Sequence, residues 1–587
     1  MNDASNPHRR TFLRNASALA AATATAVPFA SAQSSADPWQ RAQDIIARCS
    51  RPPSFRNEDF PVTAFGAKSC RLVAATSTWR KVQWEVKTPA PGSHDCHPAI
   101  AAAIAACHQA GGGRVLIPAG SWYCKGPIVL RSNVHVHLAS GAQVYFSANP
   151  ADYAKYGDID CGERGKLVVS RWQGNDVLNY SPLVYAYKQT NIALTGADWT
   201  SVLNGQAGVP FESGDSSWWG WMDRRGDEVS AATVNPLNLP LDAVAPGLGP
   251  AERALIQGEH PRWNGDTRYL PALSEAGVPL ARRVFGVGHH LRPCLVEFIG
   301  CSEVVMEGYQ AVASPFWMHH PVDCRNVRFS KVNMESIGPN NDGFDPESCD
   351  TVLVDGCTFN TGDDCIAIKS GKNRDTQFGP TRNVVIQNCI MNSGHGGVTL
   401  GSEMAAGIEH VYAQKIEFRN AHWATDPLGS AIRLKTNMNR GGFLRHLYVR
   451  DVRLPNGVDA RDKRGKPATG GGAIVTIDCN YATGDDGVRT RPPSVSDVHI
   501  SNLRAGTVNM ADGDYSCYQA VVILGPVAAS FNGPAGTAIL PVTNISITDC
   551  DFGTARNAGQ PVFLHNARNV VLKNVKINGR TISETLS

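Results

Sequence analysis

A short phrase, one polar residue followed by apolar residues in alternation, recurs along this chain and limits the folds open to it. It reads Asn191-Ile192-Ala193-Leu194, Glu303-Val304-Val305-Met306, Asn326-Val327-Arg328-Phe329, Thr351-Val352-Leu353-Val354 and Asn383-Val384-Val385-Ile386, and it returns at His410, His446, Asp497, Asn544 and Asn569. From Val304 to Val327 is 23 residues, from Val327 to Val352 is 25, and from Ile545 to Val570 is 25. That period is one coil of a parallel β-helix, with alternate side chains pointing into a stacked core. A leucine-rich horseshoe has a similar period, but its Leu-x-x-Leu-x-Leu phrase does not recur. The expected fold is therefore an all-β parallel β-helix.

Composition agrees. Charged residues make up 18%, Gly 56 and Pro 36 are plentiful, and long heptads are absent, which favours a turn-rich β protein. The 587 residues would ordinarily suggest several domains, but a solenoid grows by stacking. Net charge is +3, and Arg9, Arg10 and Arg14 against Asp3 account for +2 of it, so no general basicity points to nucleic acid. Residues 1–32 read as an export signal: Arg9-Arg10-Thr11-Phe12-Leu13-Arg14, an Ala-rich apolar run, then Ala30-Ser31-Ala32 as a cleavage site. The paired arginines resemble a twin-arginine signal, which implies the Tat translocon as a transient partner. An ordinary secretory signal is the alternative, and either places the protein in the periplasm or outside the cell. No other stretch is apolar enough to span a membrane.

An irregular lead-in is expected over 33–60, then a β-helix domain over 61–587. Asp95 can cap a short N-terminal helix with Ile100, Ile104 and Cys107 at helical spacing, stopped by Gly111-Gly112-Gly113. Short strands follow over Arg114–Ile117, Pro127–Leu130, Val134–Leu138 and Gln143–Phe146. A long insertion, about 208–292, carries Trp218, Trp219, Trp221, Arg224, Arg225, His260, Arg262, Trp263, His289 and His290. It can bind sugar through aromatic stacking and Arg–carboxylate pairs, or its tryptophans can simply pack the loop onto the coil. A second insertion, near Pro455–Gly472, reads as a surface loop. The sixteen cysteines of an exported protein suggest disulfides, yet many stand singly in apolar β segments, so a mixture of bonded and free thiols is expected. None of their spacings reads as a zinc site.

Four polar blocks interrupt the pattern in order: Asn340-Asn341-Asp342-Gly343-Phe344-Asp345, Gly362-Asp363-Asp364, Ser393-Gly394-His395-Gly396 and Arg433-Leu434-Lys435. Alone, a Gly-Asp-Asp triplet says little, and a second copy at Gly484-Asp485-Asp486 has none of the other blocks nearby. Asp342 and Asp363 are 21 residues apart, close to one coil, so they should be neighbours on one wall. Clustering three carboxylates raises the pKa of one of them. Hydrolysis of a glycosidic bond needs one protonated carboxyl as acid and one ionised carboxylate. Which acid keeps the proton does not follow from the residues. Arg433 and Lys435, two apart on a strand, face the same side and suit an anionic polymer.

In this order the blocks resemble glycoside hydrolase family 28, the polygalacturonases and their relatives. The resemblance runs from Phe65-Gly66-Ala67 to the last strands, and Asn179-Tyr180-Ser181-Pro182, Tyr185-Ala186-Tyr187 and Gly338-Pro339-Asn340 resemble its exo-acting bacterial branch. It implies a right-handed β-helix and an inverting hydrolase of galacturonan that needs no metal or cofactor. Asp363 would be the general acid, Asp342 and Asp364 would activate water, and His395 would support the acid. Arg433 and Lys435 would grip galacturonate carboxylates, with Asn340, Lys369 and Asp345 as further substrate contacts. Asp345 can equally bond backbone within its coil. Asn341 and Leu434 stand where many members have Thr and Ile. The long insertion could close one end of the groove, giving mono- or digalacturonate from the non-reducing end. Rhamnogalacturonan and xylogalacturonan hydrolases are alternatives within the family. A calcium-dependent lyase and a non-catalytic adhesin share the fold.

Overall fold

A computed structural model describes residues 37–51, 53–224, 250, 266–462, 472–481 and 489–587. The chain winds as a right-handed parallel β-helix. One long sheet of 21 strands wraps around two sides of the coil. A second wall is built from short strands, one per coil. Its rungs are Ile128–Val129, Val184–Tyr187, Val296–Ile299 and His319–Val322, then Ile366–Ile368, Gly396–Gly401, Ser430–Lys435, Ala473–Asp478, Gln519–Leu524 and Val562–His565. The two groups are joined through the Phe344–Glu347 segment, which bridges Val322 on one side and Ile366 and Lys369 on the other.

The recurring phrase has a direct structural meaning. Its first apolar residues stack in register, Ile192 on Val304, Val327, Val352, Val384, Val411, Leu447, Val498, Ile545 and Val570, and form one buried column. The polar residue before each of them has a positive φ, between 53° and 66° from Asn569 to Thr351. This left-handed conformation is uncommon outside glycine and is most accessible to Asn, Asp and His. It drops out of the strand pairing and lets the chain bend at the same point in every coil. Neighbouring coils are tied there by side chains, as where Asn383 Nδ2 donates to Asp350 at 2.7 Å and Asn326 Nδ2 to Glu303 at 2.7 Å.

Both ends of the stack are covered. At the N-terminal end, helix α2 (His97–Gln109) buries Ile100, Ile104 and Cys107. Asp95 Oδ1 accepts the amides of His97 and Lys125, each at 2.9 Å, although the cap position itself is Cys96. At the other end Arg580–Leu586 turns back antiparallel on Ala567–Ile577 through Asn578-Gly579, both at positive φ as a tight two-residue hairpin requires.

The lead-in is not irregular as expected. It contains helix α1 (Pro38–Cys49), whose Ala42, Ile45 and Cys49 pack on Leu353, Val385 and Tyr412 of the long sheet. Its apolar residues Trp39, Ala42, Ile45, Ile46 and Cys49 recur at helical spacing and form the packed face. The cysteine expectation also needs correction, because all sixteen thiols are unbonded. Most fill small core positions, and burial lifts thiols such as Cys49, pushed up to about 12. Alkylation in denaturant without reductant is expected to add sixteen groups by mass; fewer would reveal disulfides.

Candidate active site

The acids sit where the long sheet hands the chain over to the second wall. Asp342 opens one rung and Asp364 the next, locked by a bond from Gly343 N to Asp364 O at 3.0 Å and by the Phe344–Ile366 bridge. Asp363 lies beside Asp364 at the corner, and His395 follows one coil later, its amide donating to Asp363 O at 3.1 Å. Arg433 and Lys435 share the strand Ser430–Lys435, two rungs beyond Asp364, with their side chains on the outer face.

Side-chain geometry brings these groups together. His395 Nδ1 is 3.0 Å from Asp363 Oδ1. Lys435 Nζ donates to Asp364 Oδ2 at 2.6 Å and Arg433 Nη1 to Asp364 Oδ1 at 3.1 Å. Lys369 is buried, with its Nζ 3.9 Å from Asp342, 3.8 Å from Asp345 and 3.1 Å from Glu403. Asn340 lies at the rim and accepts from Arg292 at 2.8 Å. Both carboxylate oxygens of Asp345 are buried with no hydrogen-bond partner, so the backbone contact open to it in the sequence is not made by its side chain.

The electrostatics separate the acids. Burial drives the Asp342 carboxyl well up, helped by Asp345 and Asp363 and only partly offset by Lys369. Burial acts on Asp363 too, but His395, Lys435 and Arg433 outweigh it and hold that carboxyl low. Lys435 and Arg433 likewise overcome burial at Asp364. Asp363 in turn raises the pKa of His395. Burial pushes Asp345 up to about 7 despite Lys369. Burial thus favours the protonated form at Asp342, while His395 and Asp363 each favour the charged form of the other. One oxygen from each of Asp342, Asp363 and Asp364 lies within 4.8 Å of the others, and the donor atoms of Cys294, Glu297 and His320 are as close, so either set could reach one cation. Neither is short of positive charge: the first faces Lys369, Arg433, Lys435 and His395, and both nitrogens of His320 already meet carboxylates.

An exopolygalacturonase from Thermotoga maritima has the same architecture, with a TM-score of 0.67 and 27% identity over 93% of this chain and 98% of that one. The pattern of glycosyl hydrolases family 28 matches residues 288–458, which carry Asp342, Asp363, Asp364, His395, Arg433 and Lys435. Residues 288–458 thus carry the family 28 pattern. A probable polygalacturonase of Vitis vinifera is 34% identical over 170 residues, 28% of this chain and 33% of that protein. A polygalacturonase of Ralstonia solanacearum is 24% identical over 342 residues, 57% of this chain and 55% of that protein. The chain thus spans between about a third and just over half of the length of these curated relatives.

Three features of this site were not read from the sequence. Tyr481 lies under both cations, its ring 5.5 Å from Arg433 and 5.1 Å from Lys435. The Gly484-Asp485-Asp486 triplet three residues on does not by itself point to Tyr481. Glu403 balances Lys369 from the Gly396–Gly401 coil. Asn341 is fully buried and satisfied on both sides. It accepts from Gly338 N at 2.9 Å and Ser336 Oγ at 2.6 Å, and donates to Ser314 O and Phe316 O at 3.0 and 2.9 Å. A side chain that makes four bonds fixes the loop that presents Asp342.

The insertions divide into two roles. Trp218, Trp219 and Trp221 are buried in the main core, which settles them as packing residues. Trp219 leaves no room for a Cβ at Gly338, where one would fall 2.1 Å from Nε1. The side chains of Arg224, Arg225, His260, Arg262 and Trp263 lie outside the described residues, as do Asp485 and Asp486. The outer face of the second wall is covered by an element not anticipated from the sequence, the antiparallel pair Lys166–Trp172 and Asn175–Asn179. It lies over the rungs of Glu297 and Glu347 and reaches Lys372 and Asp375 in the coil that carries Asp364. Helix α3 (Asp266–Glu275) roofs this hairpin through a core of Leu270, Leu273, Trp172 and Val177.

Proposed function

We propose that this chain hydrolyses α-1,4-galacturonosidic bonds of pectic chains, taking the polymer by one end. The observation that carries the reading is the acid cluster with its split ionisation, one carboxyl held up and two held down, beside Arg433 and Lys435. Asp363 has the most access to the groove, its side chain 17% exposed against 4% for Asp342 and none for Asp364, which suits the acid that must reach a leaving oxygen. Asp342 and Asp364 then flank the water, His395 supports Asp363, and Arg433 and Lys435 draw in the uronate carboxylate. Asn340, Asp345 and Lys369 complete the floor, Lys369 by fixing the acids from beneath. The hairpin over the second wall supports exo action, with release of mono- or digalacturonate from the non-reducing end. Export through the twin-arginine route to the periplasm or beyond fits the leader, which lies outside the described residues. Among the described residues no helix is long and apolar enough to cross a membrane.

Chromatography of early products from polygalacturonate tests this. One small saturated product from the first time points is expected, unchanged by EDTA. A ladder of oligomers would overturn chain-end action, and a product absorbing in the ultraviolet would point to a lyase. Rhamnogalacturonan and xylogalacturonan as parallel substrates test the two alternatives within the family. Inversion rests on the family resemblance, since one oxygen of each acid lies within 4.8 Å of the others, under the roughly 6.5–9.5 Å usual between inverting carboxyl groups. Proton NMR of the first anomer decides it, β for inversion and α for retention.

A further inference from the structure

The hairpin that covers the second wall is fastened by charge. Its first strand, Lys166–Trp172, lies across successive rungs of the second wall. Val168 packs with Tyr185, Ile299 and Val322, and Tyr185 Oη donates to Val169 O at 2.6 Å. Beyond these ordinary contacts comes a row of buried ionic groups. Ser170 Oγ donates to Glu297 at 2.7 Å. Glu297 pairs in register with His320, whose Nδ1 is 3.0 Å from Glu297 Oε1 and whose Nε2 is 2.9 Å from Glu347 Oε2. Glu347 Oε1 receives Arg171 Nε at 2.5 Å and Gly371 N at 2.9 Å. The remaining arms of Arg171 reach Asp176 at 2.6 Å and the carbonyl of Asp375.

No member of this row is more than 1% exposed among Arg171, Glu297, His320 and Glu347. Such a row adds little stability over an apolar contact of the same shape, because desolvating each charge offsets most of the attraction. What it does supply is a single allowed position, since any sliding of the hairpin leaves a buried charge unpaired. The position so fixed lies beside the acids: Glu347 pairs through its backbone with Lys369, whose Nζ lies 3.9 Å from Asp342 and 3.8 Å from Asp345.

We propose that Arg171, with Glu297, His320 and Glu347, is a latch that pins the hairpin across the groove and so confines cleavage to chain ends. Arg171 is a positioning residue for this specificity and touches no reacting atom. The inference rests on the polygalacturonan reading. It differs from ordinary structural support in what it changes: the place of cleavage along the polymer, rather than the rate at a bond.

The test compares wild type, the charge-balanced double variant Arg171→Gln/Glu347→Gln and the conservative Arg171→Lys. Each is assayed on polygalacturonate and on trigalacturonate, with folding followed by near-ultraviolet circular dichroism. In the double variant, viscosity is expected to fall at a severalfold lower extent of hydrolysis than in wild type, with mixed oligomers at early times. Turnover of trigalacturonate should stay within severalfold. Arg171→Lys keeps the charge but loses the fork, so it should show the same displacement in smaller measure. It also serves if the double variant does not fold. Limited proteolysis between residues 166 and 179 reports whether the hairpin is released. A folded variant with a released hairpin that still yields a single small product overturns the latch. A wild type that forms no reducing ends from either substrate overturns the polygalacturonan reading instead.

Discussion

Replacing Asp363 with Asn is expected to lower kcat by at least about 10²-fold, the lower end for general acid catalysis, with KM changed far less. The variant keeps the size of the side chain and its contact with His395 but has no proton to give. Asp363 is the acid whose carboxyl His395 holds low, and Asp363 in turn favours the proton on the imidazole. An anionic sugar entering beside it raises the carboxyl pKa by like-charge repulsion, which moves that proton toward Asp363 and the leaving oxygen. An aryl galacturonide, whose leaving group needs little protonation, should recover much of the lost rate. Full activity of Asp363→Asn on polygalacturonate would sink the assignment. A larger loss in Asp342→Asn, equally rescued by the aryl substrate, would hand the acid role to the carboxyl whose protonated form burial favours.

Lys435→Met is expected to move the acid limb of the kcat/KM profile upward by roughly 1–3 pH units, the usual effect of an opposite charge at this range. Asp364 has no exposure and depends on Lys435 and Arg433 for its ionised form. Its folded-state pKa lies below the ordinary carboxylate value, so the ionised form persists as pH falls through the usual range. The same shift contributes stability above the unfolded pKa, which is lost as pH falls through the folded one. Without Lys435 the folded pKa rises, and both activity and the acid-side stability fail at a higher pH. A pH–rate profile and thermal denaturation over the same pH series read the two effects. An unmoved acid limb would show that Asp364 need not be ionised.

The fold was legible because its repeat is local. Each phrase places an apolar residue on the same column, and the polar residue before it accepts a left-handed bend, so periodicity along the chain became stacking in space. The acids followed from the same arithmetic: Asp342, Asp363 and His395 fall at nearly the same point of successive coils. What stayed hidden lies off the repeat. Tyr481 stands three residues before Gly484-Asp485-Asp486, a triplet that has none of the other blocks beside it. Arg171 acts on Glu347 across a separation of 176 residues, in a hairpin whose Lys166–Trp172 strand reads like any other short apolar run. The tryptophans of the long insertion drew notice by composition, yet they pack the core.

That separation has a consequence for how the molecule is made. Coils stack on their nearest neighbours, so rungs through Val184–Tyr187 can form as soon as they leave the ribosome. The hairpin above them cannot settle then, because Glu297, His320 and Glu347 have not yet been synthesised, and Arg171 stays hydrated until they are. The buried ionic row that fixes the hairpin is therefore complete only after residue 347 has been made.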